Sequence, residues 1–139
     1  MDRLTPYQRS KIMASVRRRD TKPELLVRKI AHALGARYRL YVDTLPGRPD
    51  LVFPSRRLVI FVHGCFWHRH LDCRLTTTPS SNVEFWVKKF DRNIERDIRK
   101  EAELTAKGWS VKVIWECETR NLEGLSLKLK EILFPFRSG

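Results

Sequence analysis

The most constraining stretch of this sequence is "RLVIFV", residues 57–62, an almost entirely apolar run that follows a break at Pro54 and Ser55. A run without polar alternation is typical of a strand that is buried on both faces of a sheet. Such a strand needs a layer of helices on each side, so the chain is predicted to fold as an α/β protein. Its 139 residues suit one domain, which we expect to span residues 1–139.

Patterns on both sides of this strand predict the order α-α-β-β-β-α-β-α, with one mixed central sheet of about four strands flanked by helices. A basic helix is predicted over residues 6–19, and a second is predicted from its Thr21 cap to Gly35. "RYRLYV", "LVF" and "WSVKVIWE" are the other strand candidates, and the last is predicted to be a second central strand. "LEGLSLKLKEILF" predicts a closing amphipathic helix.

A long helix is predicted to begin near Val83, after the polar loop "TTTPSSN", and to end at Gly108. The spacing of its apolar residues predicts the face that packs on the sheet. That face consists of Val83, Val87, Phe90, Ile94 and Ile98.

The charge of the chain favours a polyanionic partner. There are 28 Lys and Arg against 16 Asp and Glu, a formal net charge of +12, and the excess is strongest in residues 1–29. The first segment has few apolar residues, which favours nucleic acid over a membrane surface, although a merely basic soluble protein is an alternative. Because no signal peptide or membrane-spanning run is evident, we expect a cytoplasmic location.

Three cysteines and a histidine form a candidate metal cage. Cys65, His70 and Cys73 lie in one turn-rich segment, and Cys117 follows the strand "VKVIW". Thiolate and imidazole ligands suit Zn²⁺, and four of them close a structural site that leaves no position for substrate. In the alternative interpretation the first and last cysteines are small buried residues, and the other two ligands are exposed bystanders.

The histidines outside the cage leave a candidate hydrolytic site. Asp50 begins one predicted strand, and Val62 and His63 end the next, so a carboxylate and the Val62 backbone carbonyl meet if these strands pair. Such oxygen ligands suit Mg²⁺, and a neutral histidine, His63 or His68, can accept a proton from water. The alternatives are an ordinary turn aspartate and polar loop histidines.

Five stretches together resemble the very-short-patch repair endonucleases, the Vsr family. These are "RSKIMASVRRRDTKPE", "LPGRPDLVF", "VIFVHGCFWHRH", "FWVKKFDRNIERD" and "GWSVKVIWEC", which extend from about Arg9 to Cys117. The resemblance implies a restriction-endonuclease-like fold with a structural zinc site. It implies a Mg²⁺-dependent nick on the 5′ side of the thymine in a T·G mismatch, the product of 5-methylcytosine deamination.

The resemblance also implies roles for individual residues. Asp50 is the expected Mg²⁺ ligand, with the Val62 carbonyl assisting, and His68 is expected to activate water with Asp97 behind it. His63 and Glu24 are expected to complete the polar network. From the residues alone, Asp97 is equally an exposed partner for Lys100, and an acid in a first helical turn needs no function.

The resemblance assigns DNA contacts to two further regions. Phe66, Trp67 and Trp86 are expected to enter the mismatch as a wedge, whereas core burial is the alternative from the residues alone. Residues 1–20 are expected to form a DNA-clamping helix and residues 21–134 the catalytic core. In that helix, Met13 or Val16 faces the minor groove and Arg9, Lys11, Arg17, Arg18 and Arg19 contact phosphates.

This sequence departs from the family pattern at Arg69, which interrupts the histidine-rich run, and at "LD" between His70 and Cys73, which lengthens the loop. The departure bears on the positions of His68 and the aromatics, and so on T·G preference. Two alternatives remain: a nuclease with relaxed mismatch specificity, and a non-catalytic zinc-stapled DNA-binding module. We expect a monomer that acts on mismatched double-stranded DNA at the nucleoid, with other DNA-repair proteins as candidate partners.

Overall fold

The structure is a computed structural model that describes residues 20–135. The basic helix predicted over residues 6–19 lies outside the described residues, and so do all seven DNA-contacting residues expected on it. Within residues 20–135, no helix combines the length and the apolar character that crossing a membrane requires.

The first described helix, α1 (Lys22–Ala33), begins and ends where its sequence predicts. The side chain of Thr21 accepts a hydrogen bond from the backbone N–H of Glu24, which satisfies one of the first-turn donors. Gly35 follows the helix with a φ of +81°, a left-handed conformation that glycine adopts without steric cost. Both ends of α1 are therefore determined locally.

The described part of the chain forms one mixed sheet of three strands in the order β1-β2-β3. Strand β1 (Leu51–Phe53) pairs antiparallel with β2 (Leu58–His63), and β2 pairs in parallel with β3 (Ser110–Trp115). A parallel pair needs a long crossover. That crossover contains the short helix α2 (Cys65–His68) and the long helix α3 (Val83–Ala106), and α4 (Leu122–Leu133) closes the chain.

Helices cover both faces of β2, as its uninterrupted apolar run predicts. Leu58, Ile60 and Val62 face the core shared with α1 and α4, whereas Val59 and Phe61 face the opposite core, which includes Leu104 of α3. All six residues of β2 are buried. The α/β class and the flanking helices are therefore confirmed.

Two strand predictions are wrong for the described residues. "RYRLYV" forms no strand there and contacts the sheet through one antiparallel bridge between Arg39 and Val52, because the backbone turns at Tyr41, whose φ is +58°. The sheet accordingly has three strands rather than about four. Within residues 20–135, strand β3 pairs only with β2 and alternates in exposure, so it is an edge strand of the described sheet and not a central one.

The predicted buried face of α3 is also wrong, although the helix begins at Val83 and ends near Gly108 as expected. Of the five predicted apolar contacts only Phe90 is buried, and the other four are exposed. The buried face instead carries Trp86, Phe90, Asn93 and Leu104. This face is selected because aromatic residues of α2 pack against it, a long-range contact that helical periodicity does not encode.

The topology brings three chain segments to one edge of the sheet. The parallel strands β2 and β3 end there at His63 and Trp115, and β1 begins there because it is antiparallel to β2. Asp50 immediately precedes β1, and α2 follows β2 after one residue, Gly64. Side chains from distant positions in the sequence therefore meet at this edge, which is where open α/β sheets commonly bind their ligands.

Candidate active site and metal centre

Asp50 lies at this edge with its carboxylate held by the adjacent strand. The backbone N–H of Val62 donates to Asp50 Oδ2 at 2.6 Å, and Asp50 N–H donates to the Ile60 carbonyl at 3.0 Å. Burial, followed by the negative charge of Glu24, raises the pKa of Asp50 to about 8. A bound cation would favour the charged carboxylate, so the environment of Asp50 suits a metal ligand.

Glu24 joins Asp50 from the first turn of α1 and is only 3% exposed. Its Oε2 accepts hydrogen bonds from the Asp20 backbone N–H at 2.7 Å and from Arg28 Nη2 at 3.2 Å. Arg28 also binds Asp20 Oδ1 at 2.8 Å. Two acidic side chains and one cation thus surround Glu24, and the arginine offsets part of the negative charge around Asp50.

A second group consists of two stacked histidines and an aspartate. The rings of His63 and His68 lie 3.9 Å apart between centroids with an angle of 6° between their planes. His68 Nδ1 lies 2.6 Å from Asp97 Oδ2 of α3. One ligand-type atom from each residue lies within 4.8 Å of the others. Asp97 therefore points inward, and the alternative pairing with Lys100 is not adopted, since Lys100 pairs with Glu103 at 3.6 Å.

The two histidines differ in burial. Burial, followed by the positive charge that His68 can carry, lowers the pKa of His63 to about 4. The side chain of His68 remains 22% exposed, so its ring is accessible from the solvent side of the sheet edge. Only His68 therefore combines a carboxylate partner with access to water.

Cys65, His70, Cys73 and Cys117 form a separate cluster, as the spacing predicts. Their ligand atoms lie within 4.8 Å of one another, and His68 is not among them. His70 Nδ1 is 3.7 Å from Cys65 Sγ and 3.5 Å from Cys117 Sγ. Metal–ligand bonds of ordinary length in a tetrahedral zinc site separate sulfur and nitrogen by about 3.6 Å, so the cluster has room for such an ion.

Without a bound cation, the pKa values of two thiols in this cluster shift in opposite directions. Burial raises the pKa of Cys65, whereas a hydrogen bond from the Leu75 backbone lowers the pKa of Cys73. All three cysteines are free thiols within the described residues. Trp115 stacks on His70 at 4.2 Å and contacts His63 edge-on at 5.3 Å, so one side chain separates the cluster from the histidine pair.

The aromatic residues expected to contact DNA are brought together with a fourth ring. Phe66 contacts Trp67 at 4.9 Å, Phe90 at 5.3 Å and Trp86 at 5.7 Å between centroids. We call these four residues the aromatic cluster. Trp86 and Phe90 are 6% exposed, whereas Phe66 and Trp67 are half-buried, so the α2 members are the accessible ones.

The sequence predictions did not include several residues of this region. Arg28 could have been found, because it lies four residues after Glu24 on the same helix face. Asn93, whose Nδ2 donates to the Trp67 carbonyl at 2.9 Å, gave no local signal, since its importance depends on which face of α3 is buried. Trp115 and Phe90 likewise acquire their positions only through packing across the sheet edge and α3.

A family model described as DNA mismatch endonuclease Vsr matches residues 1–75 of the chain. The chain belongs to the Vsr family. Among curated proteins, the type II nicking enzyme V.XorIIP of Xanthomonas oryzae is 51% identical over 134 residues, which cover 96% of this chain and 98% of that protein. The DNA mismatch endonuclease Vsr of Escherichia coli is 42% identical over 118 residues, or 85% of this chain and 75% of that protein.

Another relative, the nicking enzyme V.NmeAIP of Neisseria meningitidis, is 43% identical over 120 residues, 86% of this chain and 85% of that protein. Membership of the Vsr family confirms the predicted class, a DNA endonuclease of mismatch repair.

Proposed function

We propose that this Vsr-family chain nicks one strand of duplex DNA on the 5′ side of the thymine in a T·G mismatch, in a Mg²⁺-dependent reaction. The observation that carries the proposal is the convergence of the Asp50 carboxylate and the His68–Asp97 pair on one edge of the sheet. The edge thus combines acidic oxygen ligands with an imidazole base, the groups that metal-assisted hydrolysis of a phosphodiester requires.

Asp50 is the carboxylate that would hold Mg²⁺, because its oxygens match the preference of this ion for hard ligands, and Glu24 lies beside it in the polar network. The Val62 carbonyl is the second proposed ligand. In an extended strand the N–H and C=O of one residue point to the same side, and the Val62 N–H already points at Asp50. A bound Mg²⁺ supplies positive charge beside the scissile phosphate and lowers the pKa of water there.

His68 is the proposed general base. An ionised Asp97 only accepts hydrogen bonds, so the proton at the 2.6 Å contact belongs to His68 Nδ1, and Nε2 is left to accept a proton. Water gives a proton to Nε2 while its oxygen bonds to phosphorus, and the bond from phosphorus to the deoxyribose oxygen breaks. The departing oxygen keeps the electron pair of that bond and takes a proton from solvent. His63, whose pKa is lowered to about 4, stays neutral beside His68 and adds no competing cation.

Zn²⁺ is the proposed occupant of the Cys65, His70, Cys73 and Cys117 cluster, in a structural role. Three thiolates and one imidazole fill a tetrahedral site and leave no position for a substrate. Stacking of His70 on Trp115 supports this role, since it fixes the ring through packing.

The aromatic cluster is the proposed mismatch wedge. Inserting aromatic rings costs a few kcal/mol of unstacking, and this cost is smallest where the base pair is already defective. The accessible Phe66 and Trp67 are the members proposed to enter the duplex, and Trp86 supports them from α3. The basic residues of the segment before Asp20 are proposed to contact phosphates on the minor-groove side of the duplex. We propose a monomer acting on chromosomal DNA.

The test of mismatch direction compares three duplexes that differ at one base pair, T·G, T·A or C·G, in matched sequence contexts. We expect nicking of the T·G duplex to be faster by at least tenfold, on one strand and 5′ of the thymine. Equal rates on all three duplexes would favour the relaxed nuclease and contradict mismatch direction.

The test of catalysis is Asp50→Asn, with Asp91→Asn as the charge-matched control on the exposed surface of α3. Asp50→Asn should lower the Mg²⁺-dependent nicking rate by at least 10²-fold while T·G duplex binding remains within about threefold of the parent. The control should retain full activity. A parent protein that binds DNA without nicking it under any Mg²⁺ concentration would favour the non-catalytic DNA-binding module.

A further inference from the structure

Arg69 occupies an unusual position between the two sites. It directly follows His68 and directly precedes His70. Its backbone ends α2 in the left-handed conformation, with a φ of +55°. Its guanidinium packs on the aromatic cluster, over the ring of Phe90.

The guanidinium makes two ring contacts and three hydrogen bonds, and the longer ring contact is with Phe66, whose centroid lies 5.7 Å from Cζ. It lies over the ring of Phe90, with Cζ 3.9 Å from the centroid, and donates from Nη1 to the Phe66 carbonyl at 3.3 Å. It also donates to the Thr77 carbonyl at 2.9 Å and to Thr78 Oγ1 at 2.8 Å. Within residues 20–135, no carboxylate forms an ion pair with Arg69, so its positive charge is stabilised by the ring and by neutral oxygens.

These contacts matter because α2 is a single turn of helix. Four residues make too few internal hydrogen bonds to hold a helix by themselves, and the last carbonyls of such a turn need outside donors. Arg69 supplies a donor to the Phe66 carbonyl, and Asn93 supplies one to the Trp67 carbonyl at 2.9 Å. The backbones of both accessible wedge residues are therefore fixed by side chains.

A rigid base is what an intercalating wedge needs. An aromatic side chain that can rotate away from stacked bases uses little of its binding energy to unstack them. A side chain whose backbone and ring are restrained by neighbouring groups keeps its position and can separate the bases. Through its side chain, Arg69 connects the end of α2 to the Phe90 ring of α3 and to residues 77–78. Its side-chain hydrogen bonds and ring contacts therefore lie within α2, the loop that follows it and α3.

We propose that Arg69 is a positioning residue for mismatch recognition, which holds Phe66 and Trp67 rigid so that they insert at a T·G mismatch in preference to a paired step. The inference rests on the proposed function. Arg69 touches no reacting atom, so its removal changes discrimination between duplexes and leaves the chemistry of the His68–Asp97 pair in place. A lysine does not replace it. The ammonium group lacks the planar set of donors that lets a guanidinium bond to the Phe66 carbonyl and to residues 77–78 while it stacks on the Phe90 ring.

The experiment uses the full chain and measures single-turnover nicking of matched T·G and T·A duplexes by the parent, Arg69→Ala and Arg69→Lys. The control is Arg74→Ala, which removes the same charge from an exposed position in the same segment. We expect both Arg69 variants to lower the T·G to T·A rate ratio by about tenfold, with the T·A rate changed less than threefold. The control should keep the parent ratio.

A second readout reports unstacking directly. A fluorescent adenine analogue, 2-aminopurine, placed beside the T·G pair becomes brighter when its neighbours unstack, and we expect the increase on binding to be lost in Arg69→Ala. Thr78→Val, which removes only the 2.8 Å contact at an exposed residue, should lower the rate ratio by two- to threefold.

Three outcomes would overturn the inference, and they are distinguishable. A parent protein without T·G preference refutes the proposed function and the inference with it. A parent with preference and an Arg69→Ala variant with the same ratio and the same unstacking signal refutes the inference alone. An Arg69→Ala variant that loses zinc or unfolds, together with Thr78→Val at the parent ratio, assigns Arg69 to fold maintenance.

Discussion

At the scale of single residues, burial controls the charge of His63 and Asp50 at the edge of the sheet. His63 is kept neutral because it is 6% exposed and stacked on another histidine. Burial acts on Asp50 in the same way, because it disfavours the charged carboxylate, and the nearby charge of Glu24 also raises the pKa of Asp50. A bound cation would favour the charged form of Asp50.

The burial of His63 predicts a pH dependence of stability. The folded protein keeps His63 neutral down to about pH 4, whereas the unfolded chain protonates it below pH 6.5. The unfolded state binds the extra proton in this interval, so the free energy of unfolding should fall by up to about 3 kcal/mol as pH drops from 6.5 to 4.

His63→Gln should remove this slope, measured as the difference between parent and variant in denaturant unfolding at pH 7, 5.5 and 4 without Mg²⁺. His32→Gln is the matched control, because His32 is an exposed histidine of α1. A constant difference between parent and His63→Gln across the three pH values would show that His63 does not titrate differently on folding.

At the scale of elements, side chains of Thr76 and Arg69 help to hold the irregular segment between α2 and α3. Thr76 Oγ1 donates to the His70 carbonyl at 2.7 Å, and Arg69 reaches Thr77 and Thr78. Asp72 takes a positive φ of 53°, which lets the lengthened "LD" stretch turn back towards Cys73. This turn lies between His70 and Cys73, where the resemblance implies a lengthened loop.

Cys117→Ser tests the zinc at this scale. We expect about one equivalent of zinc per chain in the parent, loss of that zinc in the variant, and destabilisation by about 4 kcal/mol or more, since metal binding is coupled to folding. Leu71→Ser is the control, because Leu71 is 84% exposed in the same loop and offers no ligand. A metal-free parent with the stability of Cys117→Ser would refute the structural zinc.

At the scale of the whole molecule, the net charge of +12 is expected to favour association with DNA. Each protein cation that neutralises a phosphate releases a condensed counterion, so binding weakens as salt rises. The sheet edge around Asp50 carries acidic side chains, which repel phosphates. Basic residues elsewhere are therefore needed to attract DNA. Residues 1–19 hold six of the 28 Lys and Arg against one acid.

Neutralising two of these residues should therefore flatten the salt dependence. For the double variant Arg17→Gln, Arg18→Gln, we expect the slope of log affinity against log salt concentration to become shallower by about 2. The control is Lys107→Gln, Lys112→Gln, two exposed lysines beside the beginning of β3, at the opposite end from His63 and Trp115. Equal slopes for both double variants would argue against phosphate contacts by the first segment.

Local rules were sufficient wherever an element is determined by its own residues. The Thr21 cap and Gly35 set the ends of α1, and the apolar run of β2 needed a helix layer on each face. Three of the four ligands in the Cys/His cluster lie in one short segment, and Cys117 joins them because β3 ends beside β2. The ends of α1, the burial of β2 and the short-range part of this cluster thus depend on few residues or on one repeating pattern.

The tertiary structure decided which surface each element presents. Val83, Val87, Ile94 and Ile98 are apolar and correctly spaced, yet α3 buries Trp86, Phe90 and Asn93 because its neighbours are the aromatics of α2 and the histidine that Asp97 holds. "RYRLYV" alternates as a strand does, but a turn at Tyr41 leaves it one bridge. Periodicity states which residues share a face, and only packing against a partner layer determines whether that face is covered.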